Sequence, residues 1–283
     1  METEQRARRV AIVSGKGGVG KTMVAANLAA ALAKTGHSVL VVDSDLGLAN
    51  LDVMLGVQPL YTLHDVLHGV CALKDALVRV PVRAPAVVST AKAPPVDGFD
   101  ILPGGSGIRD ATTLTASARD DLKTLLHELG SRYEFLLCDA GAGIGEVVLF
   151  FAQIADDIVV VVTPEPTSLT DAYATIKVLA RECGRTEVHM IVNLVAGATP
   201  HQAGGAVVSH LQQVASRFLL SNGTTPVRIH LLGVIPTDPA VPRAIARQQL
   251  LESAAPTAPA TQAIALLAEQ LFGLATLTPL PQV

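Results

Sequence analysis

Residues 15–22 read Gly-Lys-Gly-Gly-Val-Gly-Lys-Thr, and these are residue types that hold phosphate. Glycines let backbone N–H groups converge on an anion, a lysine ammonium reaches terminal phosphoryl oxygens, and a threonine hydroxyl ligates a divalent cation. Two motifs overlap in the run. Gly15, Gly17 and Gly20 make GxGxxG, and Asp43 lies 23 residues beyond Gly20, as in a dinucleotide fingerprint with its ribose-binding acid. Gly15, Gly20, Lys21 and Thr22 also make GxxxxGK[ST], the triphosphate P-loop, with Lys16, Gly17, Gly18 and Val19 inside it. Lys21 and Thr22 separate the two readings. A lysine in the first turn of a helix opposes the positive end of the macrodipole and belongs there when a polyphosphate neutralises it. A dinucleotide site needs neither residue, so the run is read as a P-loop.

Acids complete the pattern. Asp43 and Asp139 each follow an apolar run, VLVV and FLLC, and Asp45 follows Asp43 by two residues. A lone aspartate after a strand is ordinarily a turn acid or a helix N-cap. Several beside a P-loop read as magnesium-site acids, because Mg²⁺ takes hard oxygen ligands and keeps several waters. Thr22, Asp43 and Asp139 are the metal candidates. His64 and His68 have the i, i+4 spacing of helix-borne metal ligands, but Thr62 looks like an N-cap with Asp65 in the first turn. That pair is read as plain helix surface, and Cys138 as core.

Positioning these groups falls to an alternation of elements. Residues 10–13 (VAIV), 39–42 (VLVV), 135–138 (FLLC), 158–162 (IVVVV), 189–192 (HMIV) and 229–235 (IHLLGVI) read as buried strands. Residues 22–34 have helical spacing and end before Gly36. The alternation predicts one α/β domain with a parallel sheet and crossover helices over residues 1–252. Composition agrees: 49% of the 283 residues are apolar, aromatics are 3% and Trp is absent, so burial rests on Ala, Val, Leu and Ile. Residues 81–98 carry four prolines and read as an exposed insertion before a short strand at 99–102. Residues 253–283 read as an Ala/Pro/Leu-rich tail with a short helix, in which Ile264, Leu267, Leu271 and Leu274 share a face.

A net charge of −4 supplies no basic excess to steer the chain to DNA or anionic lipid. Three separated cysteines make no disulfide framework. No apolar run reaches the ~18 residues of a membrane span, and the run after Arg9 is too short for a signal peptide. The expectation is a soluble cytoplasmic protein.

The segment KGGVGKT resembles the deviant P-loop of the MinD/ParA ATPases, in which an extra lysine, here Lys16, precedes the glycines. VVDSDLGLANLDVMLG (41–56), DAGAGIG (139–145), EPTSLTDAYATIK (165–177) and GVIPTD (233–238) resemble the FlhG/FleN branch of that family, which governs flagellar number and placement. The resemblance implies a three-layer α/β/α P-loop NTPase with a mostly parallel central sheet. It implies Lys16, Lys21 and Asp45 as catalytic residues, with Lys16 crossing a dimer to the partner's phosphates and Asp45 orienting the attacking water. Residues 15–22 would hold the phosphates of ATP, Asn193 would contact adenine, and the backbone of Pro236, Thr237 and Asp238 would face the base from the other side.

The implied cycle is a slow, Mg²⁺-dependent ATPase that dimerises with ATP and acts on a flagellar regulatory or switch-complex protein. A ParA-type DNA-partitioning role would require a basic patch that the charge balance does not provide. A MinD-type division role on membranes would require a basic amphipathic tail, and no Lys or Arg follows Arg247. Specific nucleic-acid binding is therefore not expected, and membrane contact is expected to be weak, at most a transient peripheral association with the inner membrane. The nine residues before the first strand lack a DQAxxLR-like activator segment, and 81–98 is longer than the family's usual connection.

Overall fold

A computed structural model describes residues 6–45, 49–82, 98–105, 115–220 and 227–277. Most of the proline-rich stretch, 83–97, falls outside the described residues. β1 (Arg8–Ser14) runs through the glycine loop into α1 (Lys21–Lys34), and β2 (Val39–Asp43) follows. Three short helices, α2 (Leu51–Leu55), α3 (Leu63–Leu67) and α4 (Leu73–Ala76), lead to β3 (Val78–Pro81) and β4 (Gly98–Leu102). Next come α5 (Ala116–Gly130), β5 (Phe135–Ala142), α6 (Glu146–Ile154), β6 (Asp157–Val162) and α7 (Pro166–Glu182). β7 (Glu187–Val195), α8 (Pro200–Leu220), β8 (Arg228–Pro236), α9 (Ala240–Ala246), α10 (Leu251–Ala254) and α11 (Pro259–Leu277) complete the described chain.

The strands form one sheet in the order β3-β4-β2-β5-β1-β6-β7-β8. Every pair is parallel except β3–β4, which is antiparallel. The sequence reading had no strand at 78–81. VRVP is short, carries Arg79 at its second position and ends in proline, which suits an edge. The other strands carry apolar runs because helices cover both faces. Alternation along each strand divides the core: Val10 and Ile12 face α1 and α11, whereas Ala11 and Val13 face the side of α6 and α7. Leu40, Val42, Leu136 and Cys138 pack with α5 on that second side.

α1 is buried nearly all round because α11 lies over it. Ile264, Leu267 and Leu271 of α11 sit in the same cluster as Leu28 and Leu32 of α1 and Leu232 of β8. Each fully buried leucine or isoleucine contributes about 1.5–3 kcal/mol, so this helix is held chiefly by apolar burial. No helix among the described residues is long and apolar enough to cross a membrane. The three cysteines are free.

Position in the sheet sets up the site. β1 is central, and from it the chain steps outward to β2 on one side and later to β6 on the other. Such a switch point leaves a crevice at the carboxyl ends of the strands, where open α/β sheets take ligands.

Candidate nucleotide site at the carboxyl edge of the sheet

The loop after β1 is shaped by close approach and by a left-handed backbone. A Cβ on Gly15 would collide with the backbone of Asp171 in α7. Gly20 is the N-cap of α1 at φ 92°, and a Cβ there would sit 2.5 Å from Asn193 Nδ2. Only glycine meets both conditions. No side chain caps the first turn of α1 and no acid lies in it, so its N–H groups are left for an anion. Ser14 O accepts the Gly143 N–H at 2.9 Å, which ties the start of the loop to the glycine segment after β5.

Two strands, β2 and β5, deliver the acids at one level. Asp43 of β2 and Asp139 of β5 are register partners, and Ile12 of β1 pairs with Asp139 from the other side. Burial and the neighbouring Asp139 push the Asp43 carboxyl up to about 7, although it accepts N–H groups from Asp45 (3.2 Å), Asn50 (3.1 Å) and Leu51 (3.1 Å). Burial pushes Asp139 up to about 6 against the pull of a Thr22 hydroxyl bond and the Lys21 ammonium. Asp139 Oδ1 has no partner. Asp45 closes over Gly141, since a Cβ there would lie 3.3 Å from Asp45 Cγ.

Lys21, Thr22, Asp43, Asp45 and Asp139 are thus neighbours. The bonds from Asn50 and Leu51 also tie Asp43 to the start of α2, so a structural role and the place at the site coexist. Among the described residues no three His, Cys, Asp or Glu side chains form a metal cluster by themselves. An unpartnered carboxylate oxygen beside a hydroxyl fits a magnesium ion that takes few protein ligands and completes its shell with water and phosphate.

The base-side residues meet at the ends of β7 and β8. Asn193 is buried, and its Nδ2 donates to Val19 O at 2.8 Å while Oδ1 has no partner. Thr237 N–H donates to Val195 O at 3.0 Å, which sets residues 236–238 beside it. Asp238 turns its carboxylate away, accepting Ala240 N–H at 2.8 Å and Ala260 N–H at 3.0 Å. It therefore ties the loop to α9 and to the start of α11.

Lys16 stands apart from this group. Its Nζ donates to Glu165 Oε2 at 2.7 Å and to Thr167 Oγ1 at 3.0 Å, at the start of α7. Glu165 and Thr167 lie in the EPTSLTDAY segment, where the sequence reading gave them no role. A signal existed in the clustering of an acid and a hydroxyl there, but not the fold that brings them to Lys16. Thr62 and Asp65 form a reciprocal capping box on α3, and His64 and His68 stack with ring centroids 4.0 Å apart. Burial pushes Cys138 up to about 12, as suits a core thiol.

The CobQ/CobB/MinD/ParA nucleotide binding domain family matches residues 10–251. The antiactivator FleN of Pseudomonas aeruginosa is 37% identical over 262 residues, covering 93% of this chain and 85% of the relative. The flagellum site-determining protein YlxH of Helicobacter pylori is 33% identical over 267 residues, covering 94% and 80%. The septum site-determining protein MinD of Pyrococcus horikoshii, solved in complex with Mg-ADP, is 29% identical with a TM-score of 0.70, covering 97% of this chain and 100% of that one. The chain belongs to the CobQ/CobB/MinD/ParA nucleotide-binding family, and within it is a P-loop ATPase of the MinD/ParA type on the FleN/FlhG branch.

Proposed function

We propose that the protein is a Mg²⁺-dependent, ATP-hydrolysing dimerisation switch that regulates flagellar number or placement through a protein partner. The observation that carries this reading is the convergence of Lys21, Thr22, Asp43 and Asp139 on one P-loop, with an unpartnered carboxylate oxygen among them. The backbone of residues 15–22 and the Lys21 ammonium hold the phosphates, and Thr22, Asp43 and Asp139 hold the magnesium ion directly or through water. Magnesium, when bound, offsets charge on the phosphate oxygens. Asp45 orients the attacking water. Asn193 favours adenine: with Nδ2 spent on Val19 O, the free Oδ1 is an acceptor that suits a 6-amino group and would repel the 6-oxo group of guanine.

Lys16 has a cis resting place on Glu165 and Thr167, so reaching a partner's phosphates requires it to let go of them. That exchange of partners suits a slow two-state timer. The flagellar process is supported by the names of the FleN and YlxH relatives. Weak membrane contact is supported by α11, whose stripe of Ile264, Leu267 and Leu271 is spent in the core. The test is an Asp45→Ala bait loaded with Mg-ATP. It is expected to stay dimeric and to recover a flagellar regulator or switch-complex protein. A monomer in every nucleotide state, or recovery of a nucleoid or division protein, sinks the reading.

A further inference from the structure

Two non-glycine residues among those described hold a left-handed backbone, Leu194 at φ 58° and Gln248 at φ 54°. A bulky L-residue avoids that region because Cβ crowds the backbone, so it persists only where the surroundings require it. Gln248 is accounted for. It follows the C-cap of α9, where its N–H donates to Ile245 O at 2.9 Å and the next N–H donates to Ala244 O at 3.0 Å. Its side chain also donates to Val53 O at 2.8 Å.

Leu194 closes no helix. It lies where β7 slips against β8: Val192 pairs with Val234 and Val195 with Pro236, so β7 carries one extra residue. Bulges with a left-handed residue ordinarily take glycine there. Here a leucine stands, 41% exposed, between the buried Asn193 and Val195. Those neighbours locate it. Asn193 reaches Val19 of the P-loop, and Val195 O holds Thr237 of the 236–238 loop. The strained leucine therefore sits between the two segments assigned to the base, and it offers only apolar surface.

We infer that Leu194 is a base-contacting residue, whose side chain packs against the face of the nucleobase that Asn193 meets at its edge. The inference rests on the ATP-site reading above. It explains why the bulge carries a leucine where glycine would be unstrained: a base face is flat, apolar and desolvated on binding.

ADP and tripolyphosphate, each with Mg²⁺, are titrated calorimetrically into the full chain and into Leu194→Gly, Leu194→Asn and Leu194→Met, with ATP-dependent mass read alongside. Glycine and asparagine tolerate the left-handed backbone, so both variants are expected to keep the melting temperature or raise it. Both are expected to weaken ADP about fivefold, while tripolyphosphate, which has no base, binds as before. Leu194→Met restores apolar surface and is expected to keep ADP affinity. Unchanged ADP affinity in the glycine and asparagine variants overturns the inference, and loss of only the ATP-dependent dimer would assign the leucine to a second copy of the chain. Equal weakening of ADP and tripolyphosphate also overturns it, because the loop as a whole has then moved. A wild-type chain that binds no ADP overturns the ATP-site reading itself, and is recognised before any variant is compared.

Discussion

The two edges of the sheet treat charge in opposite ways. At the amino edge, Arg8 of β1 makes a two-pronged pair with Asp157 of β6, including Nη2 to Oδ1 at 2.9 Å, and both residues are buried. Asp156 accepts Arg6 at 3.1 Å and the Arg9 N–H at 2.8 Å. At the carboxyl edge, burial pushes two acids up, Asp43 to about 7 with Asp139 adding to it and Asp139 to about 6, and one oxygen has no partner. The same strands run through both edges. What differs is that one edge is completed by the chain and the other is left to be completed by a ligand. Unsatisfied charge in a buried, register-fixed place is therefore the mark of the site, and satisfied charge the mark of the scaffold.

Breaking the closed edge is expected to cost the most. Asp157→Ala removes one partner of the buried, two-pronged Arg8–Asp157 pair, which destabilises the fold by about 3–5 kcal/mol. Urea unfolding reads this, and nucleotide affinity of the folded fraction should be unchanged. A variant of wild-type stability would mean that the closed edge is not a scaffold. At the open edge, Lys21→Ala should weaken ATP by about 100-fold or more, because the phosphates lose a charge-assisted contact. Tight NAD binding that survives this change would restore the dinucleotide reading.

Smaller effects sharpen the contrast. Glu165→Gln frees Lys16 from an ion pair in which Glu165 is mostly exposed, so the melting temperature should not move. The ATP-dependent dimer should tighten about two- to threefold, measured by sedimentation. A weaker dimer would show that Glu165 serves the dimer and does not restrain Lys16.

The smallest effect is a pH dependence at the closed edge. Burial lowers the pKa of His189, although Asp157 and Glu187 pull it up; His230 and Arg8 add to the lowering. In the unfolded chain His189 takes up its proton near the ordinary value of about 6.5, whereas the folded chain resists it. Its contribution is therefore fully present above about 6.5 and is lost as pH falls from there through the lowered folded value. His189→Gln should flatten this part of the stability difference between about pH 7.5 and about pH 5.5. An unchanged slope would place the titrating group elsewhere.

Particular residues show why some of this was legible without coordinates. IVVVV and VLVV could only be buried strands, and a strand followed by glycines, Lys21 and Thr22 could only place that lysine at a helix start. Asp43 and Asp139 were legible because parallel strands in register bring their ends to one level. The edge strand β3 was not, because VRVP is only four residues long and ends in proline. Nor was the tie that Asp43 makes to the start of α2, since a sequence does not say which of two roles a carboxylate takes when it can take both.

The order of residues by itself determined the motif, the alternation that makes a parallel sheet, and the family, because these depend on local spacing and on apolar runs. Tertiary structure decided the pairings between residues far apart in the chain. Lys16 rests on Glu165, 149 residues away, and Asp238 grips the start of α11. α11 is buried against α1, so its apolar face is a core face. Leu194 is left-handed where β7 holds one residue more than β8 between Val192 and Val195. Each of these follows from where two distant segments are brought together, and local propensity carries no information about that distance.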